Sequence, residues 1–138
     1  MPDLKTLLAD AKTIAVVGCS SDPSRTSHAI ARYLQSAGYR MIPVNPNCDE
    51  CLGETAYPDL QNVPDAIDID IVNIFRNARY TANMVRMVVD YAEATDTKPA
   101  IWTQLNVSSP EAEALAEKAD LPYVRNRCIM VEHRQLLG

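Results

Sequence analysis

Apolar residues along this chain fall into short solid runs and longer helical stripes, and the two kinds alternate. Thr13–Val17 is apolar at every position, as in a strand covered by helices on both faces. Arg40–Val44 reads as a second strand, although Pro43 lacks an amide donor and argues against a central place. Residues 69–75, 99–103 and 122–124 read as three more. Between them the spacing is helical. Asp3 caps a stripe of Leu4, Leu7, Leu8 and Ala11, and Ala29, Ile30, Tyr33, Leu34 and Ala37 form a second that Gly38 ends. A helix starting at Thr81 carries Met84, Val85, Val88, Val89 and Ala92. Ser108-Ser109-Pro110-Glu111 opens another with a cap, an early proline and an acidic first turn, and residues 129–137 form the last. Residues 45–64, punctuated by Pro46, Gly53, Pro58 and Pro64, read as loop.

Strands alternating with helices predict an α/β fold: one Rossmann-like, doubly wound parallel sheet of about five strands in three layers. The expected strand order is 3-2-1-4-5, with right-handed crossovers. At 138 residues the chain is one domain, 1–138, able to bury a core without disulfides or metals. In such sheets ligands bind beyond the carboxyl ends of the strands, where the order reverses beside strand one.

That place is occupied by Gly18-Cys19-Ser20-Ser21-Asp22-Pro23-Ser24-Arg25, between the first strand and the next helix. Gly18 permits a sharp turn and a close approach. The helix start offers unpaired N–H groups and a favourable dipole to an anion, and Arg25 offers a guanidinium fork. Together these predict a phosphate-bearing ligand. The loop has neither the three-glycine dinucleotide fingerprint nor the Gly-Lys-Ser/Thr ending of a triphosphate loop. Asn45-Pro46 stands where nicotinamide-binding folds place a carboxylate on the ribose hydroxyls, which also speaks against NAD. Arg76, Arg125 and Arg127 follow other strands and could add positive charge to the same rim, with about half of such arginines expected as bystanders.

Net charge is −5, which argues against a nucleic-acid partner. No apolar run has the length of a membrane span, and the opening Met1-Pro2-Asp3 shows no signal peptide. The four cysteines are expected to be reduced thiols of a cytoplasmic protein. Cys48-Asp49-Glu50-Cys51 has redox or half-metal-site spacing, yet it lies in a loop among acids and reads as structural. Cys19, at the start of a helix-facing loop, and Cys128, beside Arg127, are expected nearer the ligand. His28 and His133 offer no convincing Ser/His/Asp set, and His28 is expected on a solvated helix surface. No catalytic or metal-binding residue is nominated.

Several stretches carry a resemblance. They are Ile14-Ala15-Val16-Val17-Gly18-Cys19-Ser20, Pro23-Ser24-Arg25, Gly38-Tyr39-Arg40 with Ile42-Pro43-Val44-Asn45-Pro46, residues 71–76, Trp102-Thr103-Gln104-Leu105, and Arg127-Cys128-Ile129 with Glu132-His133. In this order and spacing the chain resembles the small stand-alone CoA-binding domain proteins, themselves similar to the nucleotide-binding domain of the succinyl-CoA synthetase α subunit. The resemblance spans residues 4–133. It implies a Rossmann-like fold that holds coenzyme A by its ADP and diphosphate. It places the phosphate role on Ser20, Ser24 and Arg25, the nucleotide pocket on Val44, Asn45 and Pro46, and the pantetheine side at Phe75 and Arg76, with Gly18 and Cys19 in the loop. Asn106 stands where the family has glycine, in a turn asparagine tolerates, and Asn126 where it often has aspartate, which removes an ion pair. With no room before Gly138 for the synthetases' phosphohistidine domain, the resemblance implies a non-catalytic binder of CoA or acyl-CoA. The alternatives are an enzyme using NAD(P) or another nucleotide in the same crevice, and a thiol-based regulator in which Cys19 or Cys128 pairs with the CoA sulfur. Self-association is left open.

Overall fold

The computed structural model describes residues 2–138; Met1 lies outside them. Five parallel strands form one sheet: β1 (Thr13–Val17), β2 (Arg40–Val44), β5 (Ile71–Ile74), β6 (Ala100–Thr103) and β7 (Tyr123–Val124), ordered β2-β1-β5-β6-β7. Two-residue strands β3 (Glu50–Cys51) and β4 (Glu54–Thr55) pair antiparallel as a small hairpin. The helices are α1 (Leu4–Asp10), α2 (Thr26–Ser36), α3 (Ala78–Thr95), α4 (Pro110–Lys118) and α5 (Ile129–Leu136), with a 3-10 turn at Leu60–Asn62.

The solid apolar runs have the expected cause. In β1, Ala15 and Val17 pack into the layer of α3 and α4, while Ile14 and Val16 pack into the layer of α1, α2 and α5. A strand buried on both faces needs apolar side chains on both. The fold class is therefore the α/β, three-layer, Rossmann-like sheet read from the sequence, and the order reverses at β1 as the 3-2-1-4-5 pattern requires. One assignment inside that pattern changes. The third predicted strand, trimmed to Ile71–Ile74, lies beside β1. The place outside β2 is held by a single parallel bridge between Val44 and Tyr57. Residues 45–64 are too interrupted by proline and glycine to supply more than that bridge and the hairpin.

Pro43 fits because of its direction. Its carbonyl accepts from the Tyr57 amide at 3.0 Å, so its side of the backbone faces outward, and no bond to β1 is lost. Caps and breakers set the helix ends. Asp3 accepts from the amides of Lys5 and Thr6, Ser109 from that of Ala112, and Gly38 turns α2 off at φ +101°. Helix α3 begins a turn earlier than expected because the Asn77 side chain caps it, accepting from the Arg79 amide. Thr81 lies inside that turn, fully buried, its hydroxyl donating to the Val107 carbonyl at 2.6 Å.

Candidate functional site

From β1 the chain crosses through α2 to β2 on one side, and from β5 through α3 to β6 on the other. The carboxyl ends of β1, β2 and β5 thus converge where the sheet changes direction. Gly18 is at the centre, with φ +88° and its amide donating to the Val44 carbonyl at 2.8 Å. A Cβ there would lie 3.4 Å from the Phe75 Cβ and 3.5 Å from the Arg76 Cδ. The space would just admit a Cβ, and it is the left-handed conformation that calls for glycine. Val44 is buried, and its carbonyl is what fixes the Gly18 turn.

The loop beyond Gly18 is braced from behind. The Asn45 side chain donates to the Cys19 carbonyl at 2.8 Å and accepts from the Asn47 amide at 2.9 Å. The Ser20 amide donates to the Ser27 hydroxyl at 3.1 Å, and the His28 Nδ1 donates to the Ser20 carbonyl at 2.9 Å. Ser27 and His28 are both only 8 % exposed, so the expectation of a solvated His28 is corrected. A histidine in the first turn of α2 is aimed back at the preceding loop, because helical side chains lean toward the N-terminus. That direction was the available signal for Ser27 and His28, which sequence reading left out of the site.

Farther round, the Ser20 hydroxyl accepts from the Asp22 amide, and the Asp22 carboxylate takes both the amide and the hydroxyl of Ser24, at 3.0 and 2.8 Å. These two bonds, with help from nearby Arg25, hold the Asp22 carboxyl below the usual carboxylate range. Ser20 and Ser24 therefore shape the loop with their hydroxyls. Arg25 stands at the N-cap of α2 without capping it, exposed to solvent. Among the described residues nothing accepts from the Thr26, Ser27 and His28 amides.

The four rim arginines divide cleanly. Arg125 pairs with Glu113 at 3.5 Å and Arg127 with Glu132 at 2.8 Å. Among the described residues, neither Arg25 nor Arg76 has a carboxylate within ion-pair distance, and Arg76 instead lies 5.1 Å from the Tyr80 ring centre. Pro46 is exposed beside Asn45. On the β6 and β7 side, Asn106 takes the left-handed turn expected of it at φ +64°. Asn126 accepts the Asn106 amide at 2.7 Å through its side chain, and the Gln104 carbonyl oxygen of the amide group accepts from the Ile129 amide.

The cysteines depart from expectation. The hairpin that carries the Cys-x-x-Cys pair folds against the loop, and the Cys51 sulfur lies 3.1 Å from that of Cys19. Cys51 also donates to the Ser20 carbonyl at 3.2 Å, and the Cys48 sulfur sits 4.0 Å from the Cys19 carbonyl. Nor does the loop favour a thiolate at Cys19, as the start of a helix could. Burial, then the adjacent Cys51 and Cys48 thiols, push its pKa up. No group of three or more His, Cys, Asp or Glu side chains suited to a metal ion is present among the described residues. No helix among them is long and apolar enough to cross a membrane.

Residues 12–134 match the family model described as the CoA binding domain. The YneT protein of Bacillus subtilis is 36% identical over 131 residues, which cover 95% of this chain and 92% of that protein. A stretch of 76 residues, 54% of this chain, is 33% identical to 11% of the ADP-forming acetate–CoA ligase II of Archaeoglobus fulgidus. A solved structure of a hypothetical protein from Pyrococcus horikoshii OT3 superposes with a TM-score of 0.90 at 35% identity, covering 99% of this chain and 91% of that one.

Proposed function

The chain belongs to the CoA-binding domain family, and from that premise we propose that it binds coenzyme A or an acyl-CoA. The ADP and diphosphate would lie at the β1 loop and the start of α2. One observation carries the reading: among the described residues, Arg25 and Arg76, on the two loops that meet at Gly18, are the rim arginines without a carboxylate partner. A guanidinium with no carboxylate in ion-pair contact can turn its donors to a phosphate. Supporting it are the unpaired amides of Thr26, Ser27 and His28 at the same helix end.

In this reading Gly18 and Cys19 give the loop its course, and Ser20 and Ser24 hold its shape. Val44, Asn45 and Pro46 border the nucleotide, and Phe75 and Arg76 border the pantetheine side, where the Arg76 guanidinium would reach back to the diphosphate. The chain acts as one domain, is cytoplasmic, and carries out no chemistry of its own on the ligand. What supports the last point is the use made of candidate acid–base groups: His28 is spent on the Ser20 carbonyl, and His133 is bonded to the Tyr33 hydroxyl at 2.7 Å.

Titration calorimetry with CoA, dephospho-CoA, ADP and NAD tests the reading. CoA is expected to bind tightest, with ADP retaining part of the affinity. Tighter binding of NAD would overturn it in favour of a nicotinamide-dependent enzyme.

A further inference from the structure

We propose that Cys19 and Cys51 form a reversible disulfide that bolts the β1 loop to the β3–β4 hairpin, oxidised by a low-molecular-weight disulfide entering at Cys48. The inference stands apart from the ligand reading, because it concerns thiols whose pairing needs no ligand.

Three observations lead to it. First, the two sulfurs are 3.1 Å apart, about 1 Å beyond a covalent S–S bond. They come from segments 32 positions apart in sequence, so a bridge would tie separate parts of the fold. Second, Cys19 and Cys51 are 0% and 2% exposed, which shields them from bulky reagents, whereas Cys48 is half-buried and reachable. Third, Cys48 belongs to the same cluster: its sulfur sits 4.0 Å from the Cys19 carbonyl, and burial, then the Cys51 thiol and Asp49, raise its pKa. The Cys-x-x-Cys spacing does not encode this pairing, since the third thiol comes from the loop after the neighbouring strand β1.

The exchange balances as follows. Cys48 loses its proton to solvent and attacks a small disulfide, RSSR. A Cys48–SR bond forms, and RS⁻ leaves and takes up a proton. Cys51 attacks the Cys48 sulfur and expels the second RS⁻, which takes the Cys51 proton. Cys19 then attacks the Cys51 sulfur, and Cys48 departs with the Cys19 proton. Two protein thiols and one RSSR become one protein disulfide and two RSH; two electrons pass from protein sulfur to the reagent. Burial disfavours the Cys19 thiolate, so its attack on the Cys51 sulfur goes together with passage of its proton to the departing Cys48 sulfur. Once the bridge forms, Cys51 no longer donates to the Ser20 carbonyl, and that link in the loop's bracing is replaced by a covalent one.

The test uses the full chain in a buffer of oxidised and reduced glutathione, quenched in acid and alkylated with N-ethylmaleimide. Trypsin separates Cys19 from the hairpin, and a protease cutting after Glu50 separates Cys48 from Cys51. The expected product links the Cys19 and Cys51 peptides, with Cys48 and Cys128 alkylated. Cys48→Ser is expected to reach the same bridge at least about tenfold more slowly, because access is lost. Cys51→Ser is expected to stop at a glutathione adduct on Cys48, and Cys128→Ser to behave as the parent chain. A Cys48–Cys51 bridge as end product, a lasting adduct in the unsubstituted protein, or four alkylated thiols in a folded, fully oxidised sample would each overturn the proposal.

Discussion

The side-chain amide of Asn45 donates to the main-chain carbonyl of Cys19 at 2.8 Å, joining the end of β2 to the loop that follows β1. The residue that stands in place of a ribose-binding acid is thus engaged in holding the loop. A carboxylate cannot donate. Asn45→Asp is therefore expected to destabilise the fold by about 1–3 kcal/mol through the carbonyl left without its donor. It is also expected to weaken CoA binding without creating NAD binding. Denaturant unfolding and paired titrations check this; a stable variant that gains NAD affinity would contradict it.

Arg25→Ala and Arg76→Ala are each expected to weaken CoA binding by about 1.5–3 kcal/mol, the range for a hydrogen bond to a charged group. Arg125→Ala breaks only an exposed pair with Glu113 and is expected to change affinity by less than about 0.5 kcal/mol. Calorimetry on the three folded variants separates the two classes. Equal losses in all three would point to a diffuse field and away from the two unpaired arginines.

Gly18→Ala puts a side chain at φ +88°, in van der Waals contact with the Phe75 Cβ. The left-handed conformation alone is expected to cost about 1–2 kcal/mol. Thermal melting should register the loss. An unchanged melting temperature would mean that the turn can relax, and the site would then have lost its reason for glycine.

Cys19 gives the stability a pH dependence of known sign. Its folded-state pKa is raised, chiefly by burial, above the ordinary 9.0 of the free thiol. The unfolded chain therefore sheds this proton first. The stabilisation is complete below about pH 9 and is lost as pH rises beyond it, by up to about 1.4 kcal/mol per pH unit for one proton. Under reducing conditions, unfolding free energies at pH 8 and pH 10 should fall more steeply for the parent chain than for Cys19→Ala. Parallel slopes would reject the assignment.

The strands of the main sheet were legible because β1, β5 and β6 are buried at every position, so composition alone marks them, and Asp3, Gly38 and Ser109 wrote the helix ends in plain chemistry. The Gly18 loop was legible for the same reason: a glycine between an apolar run and a helix start has few other uses. The start of α3 was missed because Asn77 follows Arg76 so closely that strand, loop and cap share three residues. The contact of Cys19 with Cys51 and the partition of the arginines could not be read at all. Both depend on which separate segments the sheet carries to one rim, and no local pattern encodes that. The role of His28 lay between the two, readable from its place in the helix but only once the loop's path was known.

The backbone direction of Pro43 has a consequence for how this molecule meets its own copies. An exposed outer strand invites a neighbour to extend the sheet through unpaired amides. Along β2 the outward row has no N–H at Pro43, and the Pro43 carbonyl is taken by Tyr57. At the opposite margin β7 is only two residues long. Among the described residues, neither margin of the five-stranded sheet offers the long, uninterrupted row of backbone groups that edge-to-edge growth of a sheet would need.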